Sequence, residues 1–170
     1  MDVDVGSSIV PIGIRPAGPE DVDCLRQALF EAVSWDPERD IPPYEFTIAH
    51  PELARYHEGW GRHGDLAVIA EVGGEVVGAS SCRLFTADDH GHGYVDDATP
   101  ELAVAVWEGH RGEGIGTRLM SAIEMAAREA GFSQISLSVD ADNPARRLYE
   151  RLGYEELTFD EGGVRMLKAF

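Results

Sequence analysis

The segment that decides the fold runs from residue 106 to residue 117 and reads VWEGHRGEGIGT. An apolar run suited to a buried strand, residues 102–106, leads into it, and a helical pattern follows it. Gly112, Gly114 and Gly116 let the backbone turn tightly and bring its N–H groups close to a ligand. Because a helix N-terminus offers free N–H groups and the positive end of a dipole, this segment predicts an anion-binding site. The alternative is a glycine loop that only opens the helix and holds no ligand.

The two common phosphate-binding patterns do not fit this loop. A P-loop needs a lysine after its last glycine, and no lysine precedes Lys168 in the chain. A dinucleotide fingerprint needs a third glycine at the sixth position of G-x-G-x-x-G. That position is Thr117 when counted from Gly112 and Leu119 when counted from Gly114. A nucleotide-phosphate binder of another kind stays open, although it would explain only the glycines.

A second segment, residues 143–154, reads NPARRLYERLGY and predicts a short amphipathic helix. Asn143 is a favoured N-cap residue, and Pro144 suits the first turn that follows it. One helical pattern and one alternating strand separate this segment from the glycine loop. The apolar face of the short helix consists of Ala145, Leu148 and Leu152.

The two segments together resemble a known family. Arg111-x-x-Gly114-x-Gly116 is similar to the Q/R-x-x-G-x-G/A motif of the GNAT superfamily, the acyl-CoA-dependent N-acetyltransferases. Residues 143–154 look like the second signature of that superfamily, and the interval of one helix and one strand is also the family's. Two motifs in this order are far more specific than either alone. The resemblance covers roughly residues 12–168.

The periodicities predict a mixed sheet with helices on it, in the order strand, helices, three strands, helix, strand, helix, two strands. The resemblance implies an α+β (α/β) fold of GNAT type. Its sheet would have six to seven mostly antiparallel strands and about four flanking helices. The central strands 102–106 and 135–139 would splay apart. We expect a loose leader over residues 1–11 and a single domain over 12–170.

The resemblance also implies where acetyl-CoA would bind as co-substrate. The loop N–H groups would hold the pyrophosphate of coenzyme A, and the strand before the loop would pair with the pantetheine arm. Asn143 would bond that arm, although a plain N-cap role is the alternative. The implied cofactor-binding residues are Val104, Val106, Arg111, Gly112, Glu113, Gly114, Ile115, Gly116 and Asn143.

Two residues match the positions that carry the family's chemistry. Tyr149 matches the general acid that protonates the leaving thiolate, and its alternative is a core aromatic. Glu101 matches a position that is often acidic and would be the general base, and its alternative is a solvated carboxylate at a strand end. The implied reaction moves an acetyl group from acetyl-CoA directly to a primary amine. A non-catalytic acyl-CoA sensor on the same fold is the competing function.

Composition and charge limit the binding partners and the cellular compartment that the sequence predicts. The chain has 170 residues, with 14 basic and 31 acidic side chains and a net charge of −17. Such acidity argues against nucleic acid or anionic lipid as a partner and favours a small cationic acceptor, with solubility alone as the alternative explanation of the charge. The N-terminus lacks a signal-peptide pattern, and Cys24 and Cys82 match no zinc or redox spacing. We therefore expect a cytoplasmic protein with two buried thiols, and a homodimer is compatible with the sequence.

Two irregular stretches remain. Residues 35–64 contain four prolines and are expected to form short helical pieces and loops. Their aromatic residues Trp35, Tyr44 and Trp60 either line the acceptor pocket or pack in the core. Residues 86–100 hold aspartates and histidines, which we interpret as a mobile surface loop rather than a metal site, in keeping with a family that needs no metal.

Overall fold

The structure, a computed structural model, describes residues 9–161 and 163–170. Within them, seven strands and five α-helices follow one another in the predicted order. The strands are β1 (Ile12–Pro16), β2 (Leu66–Val72), β3 (Glu75–Arg83), β4 (Glu101–Val106), β5 (Gln134–Val139), β6 (Glu155–Asp160) and β7 (Gly163–Ala169). The helices are α1 (Val22–Val33), α2 (Tyr44–Ala49), α3 (Pro51–Ala54), α4 (Ile115–Glu129) and α5 (Ala145–Arg151), and a 3-10 turn, Pro19–Asp21, precedes α1.

All seven strands lie in one sheet, in the order β1-β2-β3-β4-β5-β7-β6. Every neighbouring pair is antiparallel except β4 and β5, which are parallel. The parallel pair is joined only at Glu101 and Ser136, and the two strands are not paired beyond that point. The mixed, mostly antiparallel sheet and its splayed centre are therefore confirmed.

Helices cover both faces of the sheet, because the strands alternate apolar side chains between the faces. On one face α4 buries Leu119, Met120 and Ile123 completely against the sheet. On the other face α1 packs Leu25 and Ala28 against a smaller set of strand residues. The glycine loop that precedes α4 is therefore exposed but leads directly into a packed helix.

The stretch from residue 86 to residue 100 differs from the expected mobile surface loop. Gly91, Gly93 and Thr99 are buried, because the stretch folds back over the first residue of β4. Among the described residues, no group of three or more His, Cys, Asp or Glu side chains is placed to hold a metal. The loop therefore packs against β4 through these buried residues, while residues 86–89 and 96–98 are exposed.

Two smaller sequence predictions concern the N-terminal leader and the burial of the cysteines. Residues 1–8 of the expected leader lie outside the described residues, while Ile9 and Val10 are exposed. Both cysteines are free thiols, but only Cys82 is buried, and Cys24 is half-buried at the edge of the α1 layer. No helix in the described part of the chain is long and apolar enough to cross a membrane.

Candidate active site

The glycine loop presents its backbone amides at the start of α4. Gly112 and Gly114 both have φ of +80°, a left-handed conformation that favours glycine, and Gly114 is the N-cap of the helix. Among the described residues, no oxygen accepts a hydrogen bond from the amides of Gly112, Gly114 or Gly116. These free donors lie at the positive end of the helix α4, an arrangement that can bind an anion.

Arg111 ties this loop to the rest of the fold. Its Nε donates to the carbonyl oxygen of Val106 at 3.1 Å, and its Nη2 lies 3.3 Å from the carboxylate of Glu31 on α1. The guanidinium is therefore partly neutralised within the protein. Its main role here is to brace the turn between β4 and α4, while the amides stay available.

The splayed sheet leaves backbone groups of β4 unpaired on one side. The Trp107 amide donates to the Val77 carbonyl, so the odd-numbered residues of β4 bond to β3. Val104 and Val106 consequently direct their N–H and C=O groups toward β5, which has already diverged. The Val106 carbonyl accepts from Arg111, so both groups of Val104 and the N–H of Val106 remain. A bound extended chain can satisfy such groups as an additional strand would.

A cavity of about 1210 Å³ occupies the gap between the diverging strands. It brings together the two proposed catalytic residues and most of the proposed cofactor-binding residues. Those that line it are Glu101, Val104, Val106, Arg111, Gly112, Gly114, Gly116, Asn143 and Tyr149. Two do not line it: Glu113 is exposed on the outside of the loop, and the side chain of Ile115 is buried in the core. Ile115 therefore offers only its backbone amide.

Glu101 is a buried carboxylate rather than a solvated one. It is only 2% exposed at the first position of β4. Its Oε1 accepts hydrogen bonds from the Tyr56 hydroxyl at 2.5 Å and from the Gly93 amide at 3.0 Å. Among the described residues, no donor reaches Oε2. Burial raises the pKa of Glu101 above its usual range, against the opposing effect of the bond from Tyr56.

Tyr149 borders the same cavity from α5. The side chain is 8% exposed and packs edge-on against Tyr154, with ring centroids 6.1 Å apart. Its hydroxyl has no hydrogen-bond partner among the described residues. Burial raises the pKa of Tyr149 to about 12, so the phenol stays protonated at neutral pH. The structure thus combines the two alternatives, since Tyr149 is both a core aromatic and a cavity-lining phenol.

Asn143 acts as a cap and also lines the cavity. Its Oδ1 accepts a hydrogen bond from the Ala145 amide at 2.9 Å, which satisfies a free donor at the start of α5. The capping bond uses the side-chain oxygen, so the side-chain nitrogen of Asn143 is left for other partners. The N-cap interpretation is therefore confirmed.

Sequence reasoning missed Tyr56 and His92, which also line the cavity. Neither lies in a periodic pattern, and only the tertiary fold brings Tyr56 to Glu101. Of the three aromatic residues left open between pocket and core, Trp35 lines the cavity and donates to Asp140 at 2.8 Å. Tyr44 packs edge-on against Phe30, and Trp60 lies in the α1 layer of the core.

Comparisons with known proteins agree with this arrangement. The acetyltransferase (GNAT) family matches residues 27–154. An N-alpha-acetyltransferase of Sulfurisphaera tokodaii is 32% identical in an alignment of 127 positions that covers 68% of this chain and 66% of that protein. The matched segments of three curated relatives span 33%, 66% and 58% of their lengths.

Solved structures share the fold over nearly the whole chain. The ribosomal-protein-alanine N-acetyltransferase of Brucella melitensis is 25% identical with a TM-score of 0.66, covering 93% of this chain and 99% of that one. The PaiA N-acetyltransferase of Thermoplasma acidophilum, solved in complex with coenzyme A, is 17% identical with a TM-score of 0.69, over 94% and 99%. Because the family match spans more than half of its residues, the chain belongs to the GNAT acetyltransferase family.

Proposed function

We propose that this protein transfers the acetyl group of acetyl-CoA directly to a primary amine of a small cationic acceptor. The single observation that carries the proposal is the row of free amides at Gly112, Gly114 and Gly116, which opens into the same cavity as Glu101 and Tyr149. Family membership and relatives solved with coenzyme A or acetyl-CoA support the choice of donor.

In this proposal the donor lies along the gap between β4 and β5. The diphosphate of acetyl-CoA accepts hydrogen bonds from the amides at the start of α4, where the helix dipole also favours negative charge. The pantetheine arm pairs with the outward N–H and C=O groups of Val104 and with the N–H of Val106, and it reaches the side-chain nitrogen of Asn143. The thioester then lies between Glu101 and Tyr149, which border the same cavity.

The chemistry needs one base and one acid. An ammonium acceptor first gives a proton to Glu101, directly or through water, because only the neutral amine can attack the thioester carbon. The C–N bond forms, the tetrahedral intermediate collapses, and the C–S bond breaks. Tyr149 donates its proton to the thiolate sulfur, and the remaining extra proton on the product nitrogen restores the phenol.

Burial keeps the proposed acid protonated. Desolvation raises the pKa of the Tyr149 phenol to about 12, so the hydroxyl enters the reaction with its proton in place. The proton passes to the sulfur as the C–S bond breaks and negative charge develops there. Tyr149 therefore stays protonated until the leaving group forms.

The acidic character of the cavity supports a cationic acceptor. Five carboxylates line it against three guanidiniums in the described part of the chain. The carboxylates are Glu31, Glu52, Glu101, Asp140 and Glu161, and the guanidiniums are Arg39, Arg111 and Arg151. An amine that is protonated in solution is attracted to such a surface before it loses its proton.

A second acceptor class is the α-amine of a protein N-terminus. One observation favours it: the cavity reaches the exposed Phe46 at its mouth, which leaves an apolar surface beyond the reacting amine. The Sulfurisphaera tokodaii relative is named as an N-alpha-acetyltransferase. The two classes differ in what surrounds the amine, so one assay with both kinds of probe separates them.

The test incubates the purified protein with acetyl-CoA and two probes, 1,4-diaminobutane and a neutral peptide with a free N-terminal alanine. We expect release of CoA thiol and a product that carries one acetyl group by mass spectrometry, faster with the diamine. Faster reaction with the peptide would favour the second acceptor class. Binding of acetyl-CoA by calorimetry without thiol release from any amine in a broad panel would favour the sensor instead.

A further inference from the structure

We propose that Tyr56 is a positioning residue for Glu101. Together with the Gly93 amide it occupies one carboxylate oxygen, Oε1, and so fixes the orientation of the carboxylate, whose Oε2 is buried without a donor among the described residues. The inference rests on the proposed function, in which Glu101 is the general base. It adds a residue from outside both sequence motifs, 45 positions before the base along the chain.

The two oxygens of Glu101 are in unequal surroundings. Oε1 accepts from the Tyr56 hydroxyl at 2.5 Å and from the Gly93 amide at 3.0 Å, while Oε2 meets no donor among the described residues. Two donors on one oxygen hold the carboxylate in a single orientation. A buried carboxylate oxygen without a donor is energetically costly unless a ligand or water supplies one.

The loop over the carboxylate leaves no room for another arrangement. A Cβ on Gly91 would lie 1.7 Å from the Tyr56 hydroxyl oxygen, and a Cβ on Gly93 would lie 2.8 Å from the Glu101 carboxyl carbon. Neither glycine has a positive φ, so close packing rather than backbone conformation requires glycine here. The loop therefore packs closely against both the Tyr56 phenol and the Glu101 carboxylate.

Tyr56 itself is held by a buried ion pair. Arg83 Nη1 donates to the carbonyl oxygens of Arg55 at 2.9 Å and of Glu58 at 2.7 Å, on either side of Tyr56 in the chain. Arg83 is 2% exposed and pairs with the buried carboxylate of Asp65 at 2.7 Å. The backbone that carries Tyr56 is thus attached to β3, the strand beside Glu101, which makes the phenol a rigid donor.

The groups around Glu101 also favour its ionised form and keep Tyr56 protonated. Hydrogen bonds from Tyr56 and Gly93 favour the ionised form of Glu101, and so do His92 and His90 when charged, against the effect of burial. Burial, followed by the neighbouring carboxylate, raises the pKa of Tyr56 well above its usual value. Tyr56 therefore remains a donor over the whole range in which Glu101 titrates.

The test compares Tyr56→Phe with Tyr94→Phe. Tyr94 donates to Asp97 in the 86–100 loop, so its variant removes the same kind of bond outside the cavity. The profile of kcat against pH is measured with saturating acetyl-CoA and 1,4-diaminobutane or the alanine peptide, whichever reacts faster. Tyr56→Phe should move the acidic limb to higher pH and lower kcat at pH 7 about tenfold, with the KM for acetyl-CoA unchanged. Tyr94→Phe should leave the limb in place.

Each remaining outcome decides the inference. An unmoved limb in Tyr56→Phe, with the limb lost in Glu101→Gln, overturns the role of Tyr56 and leaves the base intact. A limb that persists unchanged in Glu101→Gln overturns the base and the positioning role with it. If Tyr56→Phe shows no cooperative thermal transition, Gly91→Ala decides, because its added methyl must displace the phenol and also meets Glu101 Oε2 at 2.8 Å. An unmoved limb in folded Gly91→Ala then overturns the inference.

Discussion

The hydroxyl of Tyr56 lies 2.5 Å from Oε1 of Glu101, which joins the segment after α3 to the first residue of β4. This bond links the irregular part of the chain to the splayed centre of the sheet. It also orients a carboxylate that is 2% exposed, because the donors lie on one of its two oxygens only.

Replacing the proposed base should remove turnover and spare donor binding. Glu101→Gln keeps the size of the side chain but cannot accept a proton at neutral pH. We expect kcat to fall about 100-fold or more, and the Kd for acetyl-CoA by calorimetry to stay within about twofold. A parallel loss of acetyl-CoA affinity would assign Glu101 to donor binding instead.

The same residue should give stability a distinctive dependence on pH. Burial raises the folded-state pKa of Glu101, so its contribution to stability is full below the usual glutamate pKa and is lost as the pH rises through the folded value. The free energy of unfolding of Glu101→Gln should therefore increase relative to that of the wild type as the pH rises from 4 to 8. Urea titrations measure this, with Glu75→Gln on an exposed position of β3 as the control. A constant difference across that range would refute the buried, raised carboxyl.

Removal of the Tyr149 hydroxyl should slow the departure of the thiolate. Tyr149→Phe keeps the ring that packs against Tyr154 but loses the donor, so kcat should fall about 100-fold with little change in acetyl-CoA affinity. Tyr44→Phe, a tyrosine that does not line the cavity, supplies the control for thiol-release assays. Equal rates in both variants would leave Tyr149 as a packing residue only.

The two ends of α4 offer a matched test of the cofactor loop. Gly114 and Gly131 have φ of +80° and +93°, and a Cβ at either position would meet nothing within 4 Å. Alanine at each should cost about 1–2 kcal/mol of stability, because left-handed backbone is strained for other residues. Only Gly114→Ala should also weaken acetyl-CoA binding, by about tenfold in calorimetry, since only it disturbs the amide row. Equal affinities in the two variants would count against the loop as the donor site.

The buried ion pair beneath Tyr56 should dominate the stability of its surroundings. Asp65→Asn leaves the Arg83 guanidinium charged and without its carboxylate, which should cost about 3–5 kcal/mol in denaturant unfolding. Asp23→Asn breaks the exposed pair with Arg26 and should cost less than about 1 kcal/mol. Similar costs for the two variants would show that the buried pair does not anchor this segment.

Local sequence patterns predicted much of the fold for physical reasons. The apolar spacing of α4 and the turn glycines around it are local signals, and so is the Asn143-Pro144 start of α5. The cavity residues of β4 followed from the resemblance, because two motifs at a fixed interval determine which strands splay.

The rest depends on contacts that no local pattern carries. Tyr56 lies in a stretch broken by prolines, and its partner Glu101 is 45 residues further along the chain. The burial of Gly91 and Gly93 follows from the fold of an otherwise polar loop over β4. Ile115 was assigned to the cofactor from its place in the motif, whereas its side chain fills the core.

A crystal structure of the protein with coenzyme A would show directly whether the glycine loop holds the diphosphate. We predict that diphosphate oxygens lie about 2.7–3.2 Å from the amide nitrogens of Gly112, Gly114 and Gly116, with the pantetheine arm between β4 and β5. A diphosphate bound elsewhere, or a loop whose amides bond the protein's own carbonyls, would show that the glycine loop is not the donor site.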